Sequence, residues 1–369
     1  MTTGKYIFTL IWPAVVALLY NMTGAKKVPV RVLEKNEPRV GWGWALLLSI
    51  PLIIIAAQRG YFADTTAYIK SFQSMPDSIS EIRNYMMTVQ KDELFSFVSV
   101  LIKVFITKNY EVYLGILATF QMLVLGKIFR KYSTDFFMSM FLFIASTDYL
   151  SWMFNGLRQF TAVCIILLAF NFILSKKYLF AILIILFASF FHGSALLVIP
   201  FVFIVQGKAW NKKTILFLFG VIIAVAFVDQ FTNILDSALA DTQYKNVVSD
   251  WSEFKDDGTN FLRVLVYSVP AIISLYGRKK IQKANDPLIN ICTNMSIASA
   301  GIYIVSMFTS GIYIGRLPIY FSLFSYILLP WELNNLFHYN FKIIIKNISI
   351  ISYILYSLFL LLYQYSMFK

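Results

Sequence analysis

The stretch NGLRQFTAVCIILLAF, residues 155–170, opens on Asn155, Arg158 and Gln159 and then turns apolar. A guanidinium keeps its charge at any physiological pH. Arg158 must therefore meet water, pair with an anion, or do both, while the residues behind it suit an interior or lipid. Composition decides between those surroundings. Of 369 residues, 59% are hydrophobic and 14% charged, and mean hydropathy is +0.69. Soluble domains average about 45–50% apolar and about 25% charged residues. Most long apolar runs approach the ~20 residues that cross a bilayer as a helix. Regular strand alternation, the mark of an outer-membrane barrel, is missing. The chain reads as an all-α polytopic membrane protein, one integral domain over residues 1–369.

The net charge of +13 does not point to nucleic acid, because the bases cluster in short loops between apolar runs, as the positive-inside rule expects. Residues 26–39, 127–131, 175–177, 208–213 and 277–283 carry these clusters. Placing them all on the cytoplasmic side gives about twelve crossings with both termini outside. The first run, YIFTLIWPAVVALLY, reads as a retained helix: one lysine precedes it, no A-x-A site follows, and Lys26, Lys27, Arg31, Lys35 and Arg39 come after it.

The segment 94–108 is treated differently. Ser96, Ser99, Lys103 and Thr107 recur at helical spacing, an amphipathic pattern suited to the membrane surface. We expect a juxtamembrane helix there and a single crossing over 110–126. Two long outer loops follow from this topology, 58–108 including the amphipathic helix, and 230–260, which is acidic. Cys164 and Cys292 fall in apolar runs and read as packing residues. With only His192 and His338 and no His/Cys cluster, we expect no metal site. No Walker loop or GxGxxG is present, so no nucleotide cofactor is expected.

The topology brings several ionisable groups to one level, the outer interface: Arg59, Asp64, Glu93, Arg158, His192, Arg263 and Arg316. Each has a plain explanation. Arginine near a helix end snorkels to headgroups, and carboxylates cap helices or pair with arginines. The sign argues for more, since the positive-inside rule depletes arginine on that face. Arginines gathered in one pocket need an anion, and the planar fork of guanidinium suits phosphate or pyrophosphate.

Several motifs together resemble the EpsG-type, Wzy-like polysaccharide polymerases of O-antigen and capsule synthesis. They are RGYFADTTAYIKSF (59–72), KDELF (91–95), NGLRQFTAV (155–163), FHGSAL (191–196) and GRLPIYFSLF (315–324). The resemblance implies a GT-C-like glycosyltransferase architecture in the bacterial inner membrane with its active site facing the periplasm. It implies a reaction that joins undecaprenyl-pyrophosphate-linked oligosaccharide repeat units, donor and acceptor, and releases undecaprenyl pyrophosphate. A chain-length regulator is an expected partner. Negative charge grows on the departing pyrophosphate, so pre-placed arginines favour the transition state. Arg59, Arg158, Arg263 and Arg316 are the expected pyrophosphate ligands. His192, Asp64 and Glu93 are the candidate proton acceptors, and Gln159 and Tyr68 the candidate glycan contacts. The rival functions are an O-antigen ligase-type transferase and a lipid-linked oligosaccharide flippase.

Overall fold

The apolar runs become helices almost throughout. The computed structural model describes residues 3–61, 64–239, 258–337 and 339–367. Most of the expected second outer loop (240–257), Phe62 and Ala63 of the first motif, and His338 lie outside the described residues. In chain order the elements are α1 (Thr3–Met22), β1 (Val28–Val32), β2 (Lys35–Arg39), α2 (Trp42–Ala57), α3 (Asp64–Ser74), α4 (Ile79–Thr88), α5 (Glu93–Phe105), α6 (Tyr110–Tyr132), α7 (Phe136–Ala145) and α8 (Asp148–Leu150). A π-helical turn, Ser151–Asn155, leads into α9 (Leu157–Leu168), α10 (Phe170–Leu174) and α11 (Tyr178–Ser189). A 3-10 turn, Gly193–Leu197, then precedes α12 (Val198–Ile204), α13 (Lys212–Ala226), α14 (Val228–Leu239), α15 (Phe261–Tyr276), α16 (Arg278–Ala284) and α17 (Pro287–Met307). After the 3-10 turn Ile314–Arg316 come α18 (Ile319–Ser322), α19 (Ser325–Asn335) and α20 (Tyr339–Met367).

Among the described residues, four helices are unbroken, long and apolar enough to cross a membrane: α1, α6, α17 and residues 341–359 of α20. The count rises to seven if each of three bent pairs is one crossing. These pairs are α7 with Asp148–Asn155, bent by 69°, α13 with Val228–Ser237, bent by 102°, and α15 with α16, bent by 72°. The other crossings expected from the sequence fall on shorter apolar helices, among them α2, α9 and α11. The basic stretch 26–39, expected as a loop, contains a hairpin. Its register runs from Val28↔Arg39 to Val32↔Lys35, and Leu33 turns the chain at φ 53°.

The chain packs as two units, residues 1–196 with 344–369, and residues 197–343. In the first, α6 packs on α2 and α9, α1 on α2 and α7, and α9 on α11. Caps set the helix starts: the Asn109 side chain accepts from Glu111 and Val112 at the head of α6, and Asp135 does so from Met138 at α7. In the second unit α17 is the central helix, touching α13, α15, α18 and α19. Asp286 caps α17, and Pro287 occupies its first turn, where a missing N–H costs nothing.

The amphipathic helix forms where expected, as α5, but its polar stripe faces the protein. Ser96, Ser99 and Lys103 are buried, whereas Phe97, Phe105 and Ile106 are exposed. Ser99 hydrogen-bonds Tyr113 of α6 at 3.0 Å. Lys103 Nζ donates to the carbonyl of Gln73 at 2.8 Å and to that of Met75, and pairs with Asp77 at 3.2 Å. This ammonium clasps the α3–α4 turn to α5. Lys103→Met leaves both carbonyls without their donor, at about 1–3 kcal/mol for the buried one, Met75 O. The hydrogen bond from Lys103 is the first cause that holds the Asp77 carboxyl below its ordinary value of 3.8, ahead of the charges of Lys103 and Lys108. A depressed carboxyl stabilises above its unfolded pKa and ceases to as pH falls through the folded one. The α3–α4 turn should therefore become more protease-sensitive below about pH 4, and Asp77→Asn should be sensitive at every pH. Equal, pH-independent cleavage of both proteins would show that the exposed Asp77 pair adds nothing to the clasp.

Candidate functional site

The first unit assembles its site around the end of the π-helical turn. A helix end leaves carbonyls without intrahelical donors, and π turns recur at functional sites. Three successive carbonyls are claimed by side chains from the segment after α2. Arg59 Nη1 donates to Met153 O at 2.5 Å, Thr65 Oγ1 to Phe154 O at 2.8 Å, and Tyr68 OH to Asn155 O at 3.2 Å. Gly156 makes the junction possible. Its N–H closes the π turn on Ser151 O at 3.1 Å, and a Cβ there would lie 2.5 Å from Trp152 Cε3. Helix α9 begins one residue later, its start anchored by Gln121 Nε2, which donates to Leu157 O at 3.5 Å and to Thr161 Oγ1 at 3.2 Å. The positive end of α9 therefore opens beside the carbonyls that Arg59 and Tyr68 hold.

Arg59 is 6% exposed. Its guanidinium lies 5.2 Å from the Phe154 ring, yet Nε and Nη2 are buried and make no hydrogen bond. Burial pushes its pKa down to about 10, opposed by the phenols of Tyr149, Tyr113 and Tyr68, so it stays charged at neutral pH. A buried cation with open donors is costly unless an anion meets it.

Arg158, in the first turn of α9, reaches the same shell. Its guanidinium stands 5.8 Å from the rings of Tyr68 and Phe95 and pairs with Asp92 at 3.3 Å. Burial raises the Tyr85 phenol and the charge of Arg158 opposes that shift, so Tyr85 belongs to this surrounding too. A polar line continues from the next residue: Gln159 Nε2 donates to Ser194 Oγ at 3.4 Å, and Ser194 Oγ is 2.7 Å from His192 Nδ1. The backbone joins α5 to that corner through Leu94 N–H and Phe190 O at 3.1 Å.

The structure thus brings Arg59, Tyr68, Arg158, Gln159 and His192 into one connected region of the first unit. Asp64 begins α3, next to Thr65. Glu93 begins α5 and is exposed, whereas its neighbour Asp92 holds the arginine. Asp92 and Tyr85 are members of this region that sequence reasoning missed, and Asn155 and Ser194 lie in the quoted motifs but were given no role there. Arg263 and Arg316 belong to the second unit. Arg263 lies 5.7 Å from the Tyr267 ring, and Arg316 is exposed at the end of its 3-10 turn. Their segments meet at Thr259, which donates its N–H to Ser306 O at 2.9 Å and sits so close to Gly315 that a Cβ there would be 2.5 Å from Thr259 Oγ1. Back in the first unit, an apolar cleft of about 480 Å³ runs between α2 and α6, with Gln58 and Glu111 at its polar end.

These features define a helical membrane protein with a buried, incompletely satisfied arginine beside a helix N-terminus. The chain belongs to the EpsG family, whose model matches residues 43–369. That membership points to a polysaccharide polymerase-type, glycosyltransferase-like function in polysaccharide biosynthesis. No curated protein and no solved structure matches the chain.

Proposed function

We propose that the protein joins lipid-pyrophosphate-linked oligosaccharide repeat units at the periplasmic face of the bacterial inner membrane. The acceptor's hydroxyl oxygen attacks the anomeric carbon of the donor glycan. The bond from that carbon to the pyrophosphate breaks, its electron pair leaves with undecaprenyl pyrophosphate, and the hydroxyl proton passes to a protein base. Arg59 and Arg158 meet the charge that grows on the leaving group. His192, hydrogen-bonded to Ser194, is the base we favour over Asp64. Gln159 and Tyr68 orient sugar, and the α2–α6 cleft receives the lipid tail. For Arg263 and Arg316, on the second unit, we propose phosphate contact as well.

The observation that carries this reading is the Arg59 guanidinium, buried with Nε and Nη2 unused. The test is turnover by purified protein in lipid nanodiscs, given one defined undecaprenyl-pyrophosphate repeat unit, with and without chelator. The expected product is a ladder of oligomers plus free undecaprenyl pyrophosphate in both arms. Repeat units left single would refute the proposal, and in sealed vesicles their translocation without joining would favour a flippase.

A further inference from the structure

Asp92 sits where an aspartate normally does something else. It is the N-cap of α5, yet its side chain makes no capping hydrogen bond. Its backbone lies at φ 51°, ψ 48°, the left-handed region that non-glycine residues occupy at a cost and keep chiefly where the surroundings enforce it. The surroundings here do enforce it. Ser96 N–H bonds the Asp92 carbonyl at 3.1 Å, and two residues on, Leu94 N–H is tied to Phe190 O. The result is a carboxylate only 9% exposed, with Oδ2 3.3 Å from Arg158 Nη1 and Oδ1 buried without any hydrogen bond.

The pair is poorly made on both sides. One contact of 3.3 Å is longer than the about 2.7–2.9 Å of a good charge-assisted bond. A well-made arginine–carboxylate pair uses two parallel bonds, whereas here Asp92 Oδ1 and Arg158 Nε are both left over. The Arg158 guanidinium also lies 5.8 Å from the centres of the Tyr68 and Phe95 rings, contacts that do not depend on the carboxylate.

We propose that Asp92 is a resident counter-ion. It neutralises and positions Arg158 in the empty protein and yields it to the substrate's diphosphate. This rests on the reading of Arg158 as a diphosphate ligand. Asp92 is a positioning residue acting through Arg158, and its negative charge sets how readily the anion enters and leaves. A single long contact is cheap to exchange for a bidentate one, and the displaced carboxylate keeps repelling the bound diphosphate, which hastens product release.

Asp92→Asn tests this cleanly, because asparagine tolerates the left-handed backbone as aspartate does and keeps the shape. The variant should bind undecaprenyl pyrophosphate in nanodiscs about tenfold more tightly, since a like charge beside the anion is gone. KM for the lipid-linked repeat unit should fall with it, and kcat should fall too, because product leaves more slowly. Asp92→Glu should restore wild-type behaviour. In an Arg158→Ala background, Asp92→Asn should have a much smaller effect, because competition for the guanidinium is gone and only direct repulsion of the anion is left. Unchanged or weaker binding by Asp92→Asn, or an effect that is undiminished without Arg158, would overturn the counter-ion proposal. Undecaprenyl pyrophosphate binding that is undiminished in Arg158→Ala would instead remove the reading of Arg158 on which it rests.

Discussion

Replacing Arg59 with methionine should abolish chain extension while leaving the protein about as stable as before. The two effects separate because they have different physical origins. Methionine removes one hydrogen bond, that to Met153 O, and strands a carbonyl at about 1–3 kcal/mol. It also removes a buried cation without a carboxylate partner, and apolar replacement of buried ions is often neutral or stabilising by about 1–4 kcal/mol. Those terms offset, so thermal unfolding should shift little. Catalysis has no such compensation. Losing one donor aimed at developing charge costs about 10²–10³ in rate. Surface glycan from cells carrying Arg59→Met should therefore consist of single repeat units, with normal protein levels. Arg59→Lys should retain partial activity, since it keeps the charge but presents no planar fork. A strongly destabilised Arg59→Met, together with wild-type activity in Arg59→Lys, would make Arg59 a structural clamp only.

Arg158 should behave differently, with lysine almost as damaging as alanine. Three interactions involve the guanidinium: the cation–π contacts with Tyr68 and Phe95, the contact with Asp92, and the proposed grip on diphosphate. A lysine ammonium is a point charge on a flexible stem and reproduces none of the planar contacts. Arg158→Lys and Arg158→Ala should each lower kcat/KM by about 10²-fold, measured with the defined lipid-linked repeat unit. Expression should hold, because this side chain is a third exposed and its pair with Asp92 is a poor one. A normal ladder of glycan lengths in either variant would refute the assignment.

Much of this was legible in the sequence, and the exceptions have physical causes. Composition and apolar run length expose a membrane protein because the bilayer leaves the chain few alternatives. The spacing of Ser96, Ser99 and Lys103 revealed a helix, but spacing is blind to which side the polar stripe faces. Backbone acceptors at the C-terminal end of α3 took Lys103 inward, and Tyr113 of α6 took Ser99. Arg59 and Arg158 stood out as misplaced charges, and His192 as one of two histidines. Asp92 was not, because the choice between it and Glu93 depends on one left-handed turn. Carbonyls of Met153, Phe154 and Asn155 carry no side-chain signature, so the anchor of Arg59 and Tyr68 could not be read in advance. The hairpin of Val28–Val32 with Lys35–Arg39 was hidden by its basic residues, where charge suggested a loop. The 69° break after α7 follows Thr147 at φ 73°, a position with no proline or glycine to announce it.

The most direct measurement is the structure of the protein with undecaprenyl pyrophosphate bound. The diphosphate should lie within hydrogen-bonding distance of Arg59 Nε or Nη2 and of the Arg158 guanidinium. A diphosphate bound elsewhere, with Arg59 still enclosed and touching only the carbonyl of Met153, would contradict the account.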